Sequence, residues 1–302
     1  MIKHFQLLLA FALFLSFNCN AQDSGFARST DSALIYYRTY GNGQPLLIIN
    51  GGPGMNSNGF EQLAIELSKN YQTIIYDQRG TGKSTLANPD TASITMKLML
   101  DDIESIRKHL NIPVWFVLGH SFGGMVASYY ATQYPGHIKK IVLSSSGGID
   151  LDILGYAGES INSKLSKTSL DSINYWTSRI SQGDTSHFAA LARGKLLAPA
   201  YVMDQKYLPI IAERLTQGNS TINMLIWTAL QNMNFDCSEG LKKFDKPVLI
   251  IQGKNDIVKE ETALKAHRVL KNSKVVFLDH SIHYGWIDNK KVYFEEIRAF
   301  LG

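Results

Sequence analysis

The stretch Val114-Trp-Phe-Val-Leu-Gly-His-Ser-Phe-Gly-Gly124 decides the fold of this 302-residue chain. An apolar run leads directly into Gly119-x-Ser121-x-Gly123, and a helix-like pattern follows as far as Tyr134. A serine on a tight turn between a strand and a helix has its Oγ exposed above the sheet. The sequence therefore predicts a nucleophile elbow with Ser121 as the reactive residue.

The glycines of this turn have a steric role. A turn this sharp brings the strand and helix backbones so close that a Cβ at Gly119 or Gly123 would clash. The turn also points the helix N-terminus, with its unpaired N–H groups and positive dipole end, toward any negative charge that develops near Ser121. The pattern is therefore suited to an anionic intermediate as well as to a nucleophile.

Length and charge limit the class of protein. A chain of 302 residues fits one large domain or a core with an inserted lobe, and an apolar fraction of 45% can fill a substantial core. The formal net charge of +4 is spread along the chain without a long basic block. Nucleic acid is therefore not expected as the main partner.

The N-terminus has the pattern of a secretory signal peptide. Lys3 and His4 precede an apolar run over residues 7–17, and the small residue Ala21 offers a cleavage site. We expect residues 1–21 to be removed on export to the periplasm or the extracellular space. The apolar run is too short to span a bilayer comfortably, so no stable membrane insertion of the processed chain is expected.

Two other interpretations of this segment are less favoured. A lipoprotein anchored through Cys19 is the first, and Asn18 is a poor residue for the position before a lipobox cysteine. An ordered N-terminal helix is the second, although large apolar residues occupy every face. Removal of the segment leaves Cys237 without a partner for an internal disulfide. We interpret Cys237 as structural or incidental.

From residue 33 onward the chain alternates short apolar runs with amphipathic stretches. The runs are rich in Ile, Val and Leu without clean alternation, which is typical of strands buried on both faces of a parallel sheet. Strand–helix alternation with right-handed crossovers predicts a doubly wound, mostly parallel α/β architecture. Strands are predicted over residues 34–40, 46–50, 73–77, 114–119, 140–144, 248–252 and 274–278, and helices over 59–69, 94–110, 122–134, 260–270 and 290–301.

The alternation is interrupted between residues 147 and 239. This segment contains helical patterns with many aromatic residues and no convincing strand, and the alternation resumes at Pro247. We interpret residues 147–239 as a helical cap inserted between the two parts of the core, residues 22–146 and 240–302. Such a cap covers the sheet edge where ligands bind in open α/β sheets. The alternative is one wall of the core without a lid role.

A nucleophilic serine requires a base, and the base requires an orienting acid. Asp256 and His283 each lie just beyond a predicted strand, so the fold can bring them to the sheet edge that carries Ser121. We expect His283 to accept the Ser121 proton, and Asp256 to hold the imidazole and stabilise its charged form.

Neighbouring residues compete for these roles. His280 stands nearly at the strand end, whereas His283 lies deeper in the loop and opens an aromatic segment, so His283 is favoured. Asp279 is close in sequence, and Asp245 precedes its strand and therefore faces the opposite sheet edge. The alternative for Asp256 is an ordinary exposed turn aspartate.

The oxyanion of acyl transfer is stabilised by backbone N–H donors rather than by charged side chains. The predicted strand over residues 46–50 runs into Gly51-Gly-Pro-Gly54, a flexible turn on the same sheet edge. We expect the N–H groups of Gly52 and Phe122 to be the donors, with Gly51 as the alternative to Gly52. A glycine-rich turn without this role is the other interpretation.

One motif is rejected. Gly80-Thr-Gly-Lys-Ser84 looks like the end of a phosphate-binding loop, but the full pattern requires glycine where this chain has Asp77. Nucleotide binding is therefore not expected. We interpret Asp77 and Arg79 as structural pairing groups in a rigid loop after a strand.

Together these motifs resemble the α/β-hydrolase superfamily over nearly the whole chain after the signal segment, including the order Ser, Asp, His of its triad. Within that superfamily, Gly51-Gly-Pro-Gly54 followed by Asp77-Gln-Arg-Gly-Thr-Gly-Lys-Ser84 is similar to the proline iminopeptidase branch. The resemblance implies Ser121, Asp256 and His283 as the triad. It also implies an exopeptidase that removes N-terminal residues, often proline, from short peptides beneath a helical cap.

The chain departs from that branch in places. Asn50 replaces the usual histidine, and Phe122 replaces the usual tryptophan after the nucleophile. Peptidases of this branch anchor the substrate ammonium with cap carboxylates, because a buried cation needs a paired charge. This chain has no acidic residue between Thr216 and Phe235. The remaining candidates for substrate binding are the carboxylates Glu159, Asp184, Asp204 and Glu213 and the aromatic residues Trp176 and Trp227. For each carboxylate, a solvated helix charge is the favoured interpretation over an anchor for the substrate.

Three functions fit these features. The first is a secreted serine aminopeptidase of proline iminopeptidase type, and the second is a carboxylesterase or other small-molecule hydrolase on the same scaffold. A non-catalytic binding module is least favoured, because every triad position is filled. Dehalogenase or epoxide-hydrolase chemistry is disfavoured, because those relatives use Asp where this chain has Ser121. We expect a small peptide or ester as substrate, and neither a metal nor a cofactor.

Overall fold

A computed structural model describes residues 23–302, in which eight strands form one sheet with helices on both faces. The predicted signal segment, residues 1–21, lies outside the described residues. The strands are β1 (Asp23–Arg28), β2 (Leu34–Tyr40), β3 (Pro45–Ile49), β4 (Gln72–Tyr76), β5 (Trp115–His120), β6 (Ile138–Ser144), β7 (Val248–Gly253) and β8 (Ser273–Leu278). The helices are α1 (Glu61–Leu67), α2 (Met96–His109), α3 (Phe122–Gln133), α4 (Ala157–Asn162), α5 (Lys167–Ser181), α6 (His187–Leu197), α7 (Leu208–Leu215), α8 (Ser220–Asn232), α9 (Ser238–Leu241), α10 (Glu260–Val269), α11 (Gly285–Asp288) and α12 (Lys290–Leu301).

The sheet has the order β1-β2-β4-β3-β5-β6-β7-β8. β1 pairs with β2, and β2 with β4, in antiparallel fashion, and all other neighbours are parallel. The predicted mostly parallel, doubly wound α/β-hydrolase architecture is therefore confirmed. The sequence did not predict β1, an edge strand whose residues are mostly exposed.

The central strands are buried on both faces, which explains their continuous apolar runs. In β3, Leu46 and Ile48 belong to the core beneath α1 and α12, whereas Leu47 and Ile49 belong to the opposite core beneath α2 and α3. Helix α3 is buried on nearly every face, so it is apolar all round. The sheet thus holds the start of α3 rigidly at its carboxyl edge.

Between β6 and β7 the described secondary structure consists of helices. Where this segment leaves and rejoins the core, an isolated bridge pairs Asp150 with Asp236, and the Cys237 N–H donates to Ile149 O at 2.8 Å. Cys237 itself is buried, and burial raises the pKa of its thiol, which fits a structural role. No helix within residues 23–302 is both long and apolar enough to cross a membrane.

Candidate active site

The turn at the end of β5 holds Ser121 in a strained conformation. Ser121 has φ 53° and ψ −121°, in a backbone region that residues other than glycine rarely adopt. Hydrogen bonds hold this conformation in place: the Ser121 N–H donates to Ser144 O at 3.0 Å, and Ser121 O accepts from the N–H groups of Gly124 and Gly147, each at 2.9 Å. The side chain therefore stands clear of both β5 and α3.

The glycines of the elbow allow its backbones to approach each other. A Cβ on Gly119 would lie 2.3 Å from Gly123 O, and one on Gly123 would lie 2.1 Å from Ile49 O. Both neighbours are backbone atoms, which cannot swing aside as a flexible side chain would. The steric role predicted for these glycines is confirmed.

Asp256 and His283 form a buried pair above the ends of β7 and β8. His283 Nδ1 lies 2.8 Å from Asp256 Oδ1, and the Asp256 and His283 side chains are 0% and 4% exposed. Asp256 Oδ1 also accepts from the Val258 N–H at 3.1 Å, and the His283 N–H donates to Tyr201 O at 3.1 Å. A carboxylate here favours the tautomer with the proton on Nδ1, which leaves Nε2 as the basic nitrogen.

Ser121 lies at the same sheet edge as this pair. Its sequence neighbour His120 has its ring centroid 4.6 Å from that of His283. The Ser121 hydroxyl makes no hydrogen bond within the described part of the chain. Bonds between a nucleophile and its base are often long in unliganded enzymes and tighten when substrate binds.

The competing residues lie elsewhere. His280 is exposed, Asp279 pairs at the surface with Lys254 at 2.7 Å, and Asp245 is an exposed neighbour of Lys246. Each is therefore in water rather than against the elbow.

The Gly51–Gly54 loop passes directly beside Ser121. A Cβ on Gly51 would lie 2.7 Å from Ser121 Cβ, and Gly52 has φ +73°, which suits glycine. Within residues 23–302 neither the Gly52 N–H nor the Phe122 N–H donates a hydrogen bond. Phe122 is the first residue of α3, so its amide is one of the helix's unpaired N-terminal donors.

His120 is a site residue that sequence reasoning missed. It is 1% exposed, its Nδ1 lies 3.4 Å from Ser144 Oγ, and its Nε2 has no partner among the described residues. Burial, with the nearby His283 and Arg214, holds the pKa of His120 well below its usual range. His120 is therefore a neutral spacer beneath His283, and its position directly before Ser121 was the available signal.

The candidate carboxylate anchors are exposed or half-buried, and three of the four pair with a neighbouring basic side chain. Glu159 is on the surface, Asp204 pairs with Lys206 at 2.7 Å, and Glu213 lies 3.3 Å from His187 Nε2. The fourth candidate, Asp184, pairs with Arg179 at 2.8 Å. None of them bonds to Ser121, Asp256 or His283, so their role in substrate binding stays a prediction.

The two candidate tryptophans have different surroundings. Trp227 of α8 lies beside Phe122, with ring centroids 6.4 Å apart, and so reaches the elbow. Trp176 of α5 instead packs against Tyr175 and Phe188, which are 55% and 71% exposed. Trp227 is therefore the better placed of the two to contact a substrate.

The loop after β4 is a structural support. Arg79 forms a bidentate pair with buried Asp102, with distances of 2.6 and 2.8 Å, and also pairs with Asp31 at 3.0 Å. Asp77 accepts from the N–H and the hydroxyl of Ser57. The structural interpretation of Asp77 and Arg79 is confirmed.

Within residues 23–302 no cluster of His, Cys, Asp and Glu is arranged to hold a metal ion.

This fold, with a strained serine elbow and a buried Asp–His pair at one sheet edge, is that of the α/β hydrolases. The chain belongs to that family, since residues 44–290 match the family model described as the alpha/beta hydrolase fold.

Curated relatives and solved structures agree with this assignment. The proline iminopeptidase of Heyndrickxia coagulans is 28% identical over 270 residues, which cover 86% of this chain and 91% of that protein. The proline iminopeptidase of Saccharolobus solfataricus is 27% identical over 283 residues, which cover 88% of each chain. The predicted resemblance to that branch is confirmed.

Two solved structures share the fold. An alpha/beta fold family hydrolase from Bacillus anthracis str. Sterne has a TM-score of 0.74 at 19% identity, covering 92% of this chain and 99% of that one. The esterase RhEst1 from Rhodococcus sp. ECU1013 has a TM-score of 0.72 at 19% identity, covering 92% and 98%.

Proposed function

We propose that the protein is a serine hydrolase in which Ser121 is the nucleophile, His283 the general base and Asp256 the orienting acid. The observation that carries this proposal is the strained backbone of Ser121 at the sheet edge that holds the buried Asp256–His283 pair. Backbone strain of this kind persists only where the surrounding structure holds the residue in place, and strained residues cluster at functional sites.

The mechanism is acyl transfer through a covalent intermediate. His283 Nε2 takes the proton of Ser121 as its Oγ bonds to the substrate carbonyl carbon. The Gly52 and Phe122 N–H groups hold the resulting oxyanion. The imidazolium then gives its proton to the leaving amine or alcohol, and the acyl-enzyme forms. Water, deprotonated by His283, attacks the acyl-enzyme and releases the acid and free Ser121.

Serine-directed labelling tests the nucleophile. A fluorophosphonate probe is expected to label the wild-type protein and to leave the Ser121→Ala variant unlabelled. Ser163→Ala, at an exposed serine of the cap, is the matched control and is expected to label normally. Labelling retained in Ser121→Ala would overturn the assignment.

Within this class we propose an aminopeptidase of proline iminopeptidase type, which releases N-terminal residues from short peptides. The two relatives that span most of the chain, together with the Gly51–Gly54 and Asp77–Ser84 motifs, support this choice. L-proline and L-alanine naphthylamides are expected to be hydrolysed, and N-acetyl-L-proline naphthylamide, whose amine is blocked, is not. Equal turnover of blocked and free substrates would refute aminopeptidase specificity.

A carboxylesterase is the second candidate, and the exposure of the cap carboxylates favours it. Asp204 and Glu213 are 41% and 53% exposed and paired with other residues, so neither is held ready for a substrate ammonium. Turnover of short p-nitrophenyl esters without any amide turnover would establish this alternative. No turnover of any acyl substrate would favour the non-catalytic binding module.

We also propose that the chain is exported, on the strength of the N-terminal sequence pattern alone. The mass of the protein purified from an export-competent host is expected to correspond to residues 22–302. A diacylglyceryl group on Cys19 would establish the lipoprotein alternative, and an intact N-terminus would refute export by a cleaved signal.

A further inference from the structure

Arg214 of α7 is a deeply buried cation whose described contacts include no carboxylate. The residue is 4% exposed, its Nε has no hydrogen-bond partner, and burial lowers the pKa of its guanidinium. A buried charge is usually retained only with a paired charge or a specific set of hydrogen bonds. The partners of Arg214 therefore indicate what it does.

Those partners lie mainly in the core loop that follows β3. Arg214 Nη2 donates to Gly51 O at 2.9 Å, and Nη1 donates to Asn56 O at 3.0 Å and to Gln217 Oε1 at 2.8 Å. A Cβ on Gly59 would lie only 2.0 Å from Arg214 Cδ, so glycine leaves room for the side chain to cross from cap to core.

The bond to Gly51 O fixes a particular peptide group. Gly51 C=O and Gly52 N–H are opposite ends of one planar, trans peptide, so a donor that holds the carbonyl also sets the direction of the N–H. A charged donor on the carbonyl further polarises the peptide and strengthens the N–H as a donor.

Asn50 acts on the same carbonyl from the core side. Its Nδ2 donates to Gly51 O at 3.1 Å and to Met55 O at 3.0 Å. Gly51 in turn packs so closely against Ser121 that a Cβ in place of its hydrogen would lie 2.7 Å from Ser121 Cβ. The peptide is therefore held by two donors on its carbonyl side and lies next to the nucleophile.

Further contacts seat the cap on this loop. The Asn219 N–H donates to Gly54 O at 2.9 Å, and Asn223 Nδ2 donates to Pro53 O at 2.8 Å. Both residues lie at the start of α8, directly after Arg214 and α7. The same part of the cap thus contacts successive carbonyls of the glycine loop.

We propose that Arg214 is a positioning residue that orients the Gly51–Gly52 peptide from the cap, so that the Gly52 N–H points at the oxyanion. This inference rests on the proposed function, since it needs Ser121 to generate that oxyanion. The oxyanion hole is then complete only while α7 is seated on the core, and the cap contributes to kcat as well as to substrate choice.

The test compares Arg214→Met with Lys195→Met, which removes an exposed cap cation of α6. With p-nitrophenyl acetate or L-proline naphthylamide, whichever the wild type hydrolyses, Arg214→Met is expected to lower kcat about 10- to 100-fold, since loss of a whole oxyanion donor costs about 100- to 1000-fold. KM is expected to change little, and Lys195→Met to behave as the wild type. Arg214→Lys, a single-point donor, is expected to give an intermediate loss.

A second readout separates positioning from general structural damage. A trifluoromethyl ketone forms a serine adduct whose oxyanion occupies the hole, so its inhibition constant is expected to rise in parallel with the fall in kcat/KM. A competitive inhibitor without an oxyanion is expected to bind as before. If Arg214→Met does not fold, Asn50→Ala, which removes the other donor to Gly51 O, is expected to give the same pattern.

The outcomes distinguish this inference from the proposed function. Unchanged kcat in Arg214→Met, or equal weakening of both inhibitors, overturns the positioning role while Ser121 labelling stands. A wild-type protein that neither labels nor turns over any acyl substrate overturns the proposed function and this inference with it.

Discussion

Asp256→Asn tests whether the buried carboxylate sets the proton on His283. Asp256 Oδ1 accepts from His283 Nδ1 at 2.8 Å and from the Val258 N–H at 3.1 Å, whereas Oδ2 has no partner among the residues that the structure describes. Asparagine has nearly the same shape, so the change removes charge and introduces an NH₂ group without creating a cavity.

The two orientations of the new amide lead to different losses. If its oxygen stays on His283 and Val258, the imidazole keeps its tautomer and loses a charged partner. A hydrogen bond to a charged group is worth about 1.5–3 kcal/mol, which corresponds to about a 10- to 150-fold loss of rate. If its NH₂ group faces His283, the proton moves to Nε2 and the base is lost, which costs a triad about 10⁴-fold. The Val258 N–H favours the first orientation, because it requires an acceptor.

We therefore expect kcat of Asp256→Asn to fall at least about tenfold, with KM little changed, as for an interaction made mainly in the transition state. Steady-state kinetics on the best acyl substrate measure this. Asp279→Asn is the matched control, since Asp279 is an exposed neighbour in sequence of His283 and pairs only with Lys254 among the described residues. Wild-type kcat in a folded Asp256→Asn variant would refute the role given to Asp256.

Two further predictions concern the elbow. Gly123→Ala places a Cβ 2.1 Å from Ile49 O. Because the backbone cannot move aside, we expect the free energy of unfolding, measured by urea denaturation, to fall by about 3 kcal/mol. Gly136→Ala, where a Cβ meets nothing within 4 Å, is expected to be as stable as the wild type, and equal stability of the two variants would contradict the steric argument. His120→Asn tests the buried neutral histidine, whose folded pKa is lowered, so that at low pH the unfolded chain binds a proton that the folded chain does not. Below about pH 6.5 the free energy of unfolding of the wild type is expected to fall by up to about 1.4 kcal/mol per pH unit more than that of the variant. Identical pH dependence of the two proteins would refute the buried neutral state of His120.

The main strands, the elbow and the candidate triad could be predicted because each leaves a local signal. Buried strands such as β5 and β7 are continuous apolar runs, and the glycines around Ser121 report close backbone contact directly. β1 leaves no such signal, since it is an exposed edge strand that depends on pairing with β2.

Contacts across the cap could not be predicted. Arg214 reaches Gly51 across 163 positions of sequence, and nothing in the sequence around α7 specifies which loop it contacts. The surroundings of Trp176 and Trp227 differ for the same reason, because an amphipathic pattern indicates that a helix has a buried face and not what covers it. Sequence therefore indicates the chemistry better than the specificity.

The proposed mechanism requires that Ser121 carries the acyl group during turnover. Rapid acid quenching of the wild-type protein with p-nitrophenyl acetate, followed by peptide mass mapping, tests it most directly. One acetyl group per chain is expected, on the peptide that contains Ser121, and none in Ser121→Ala. Acetylation confined to another residue, or an equal signal in Ser121→Ala, would contradict it.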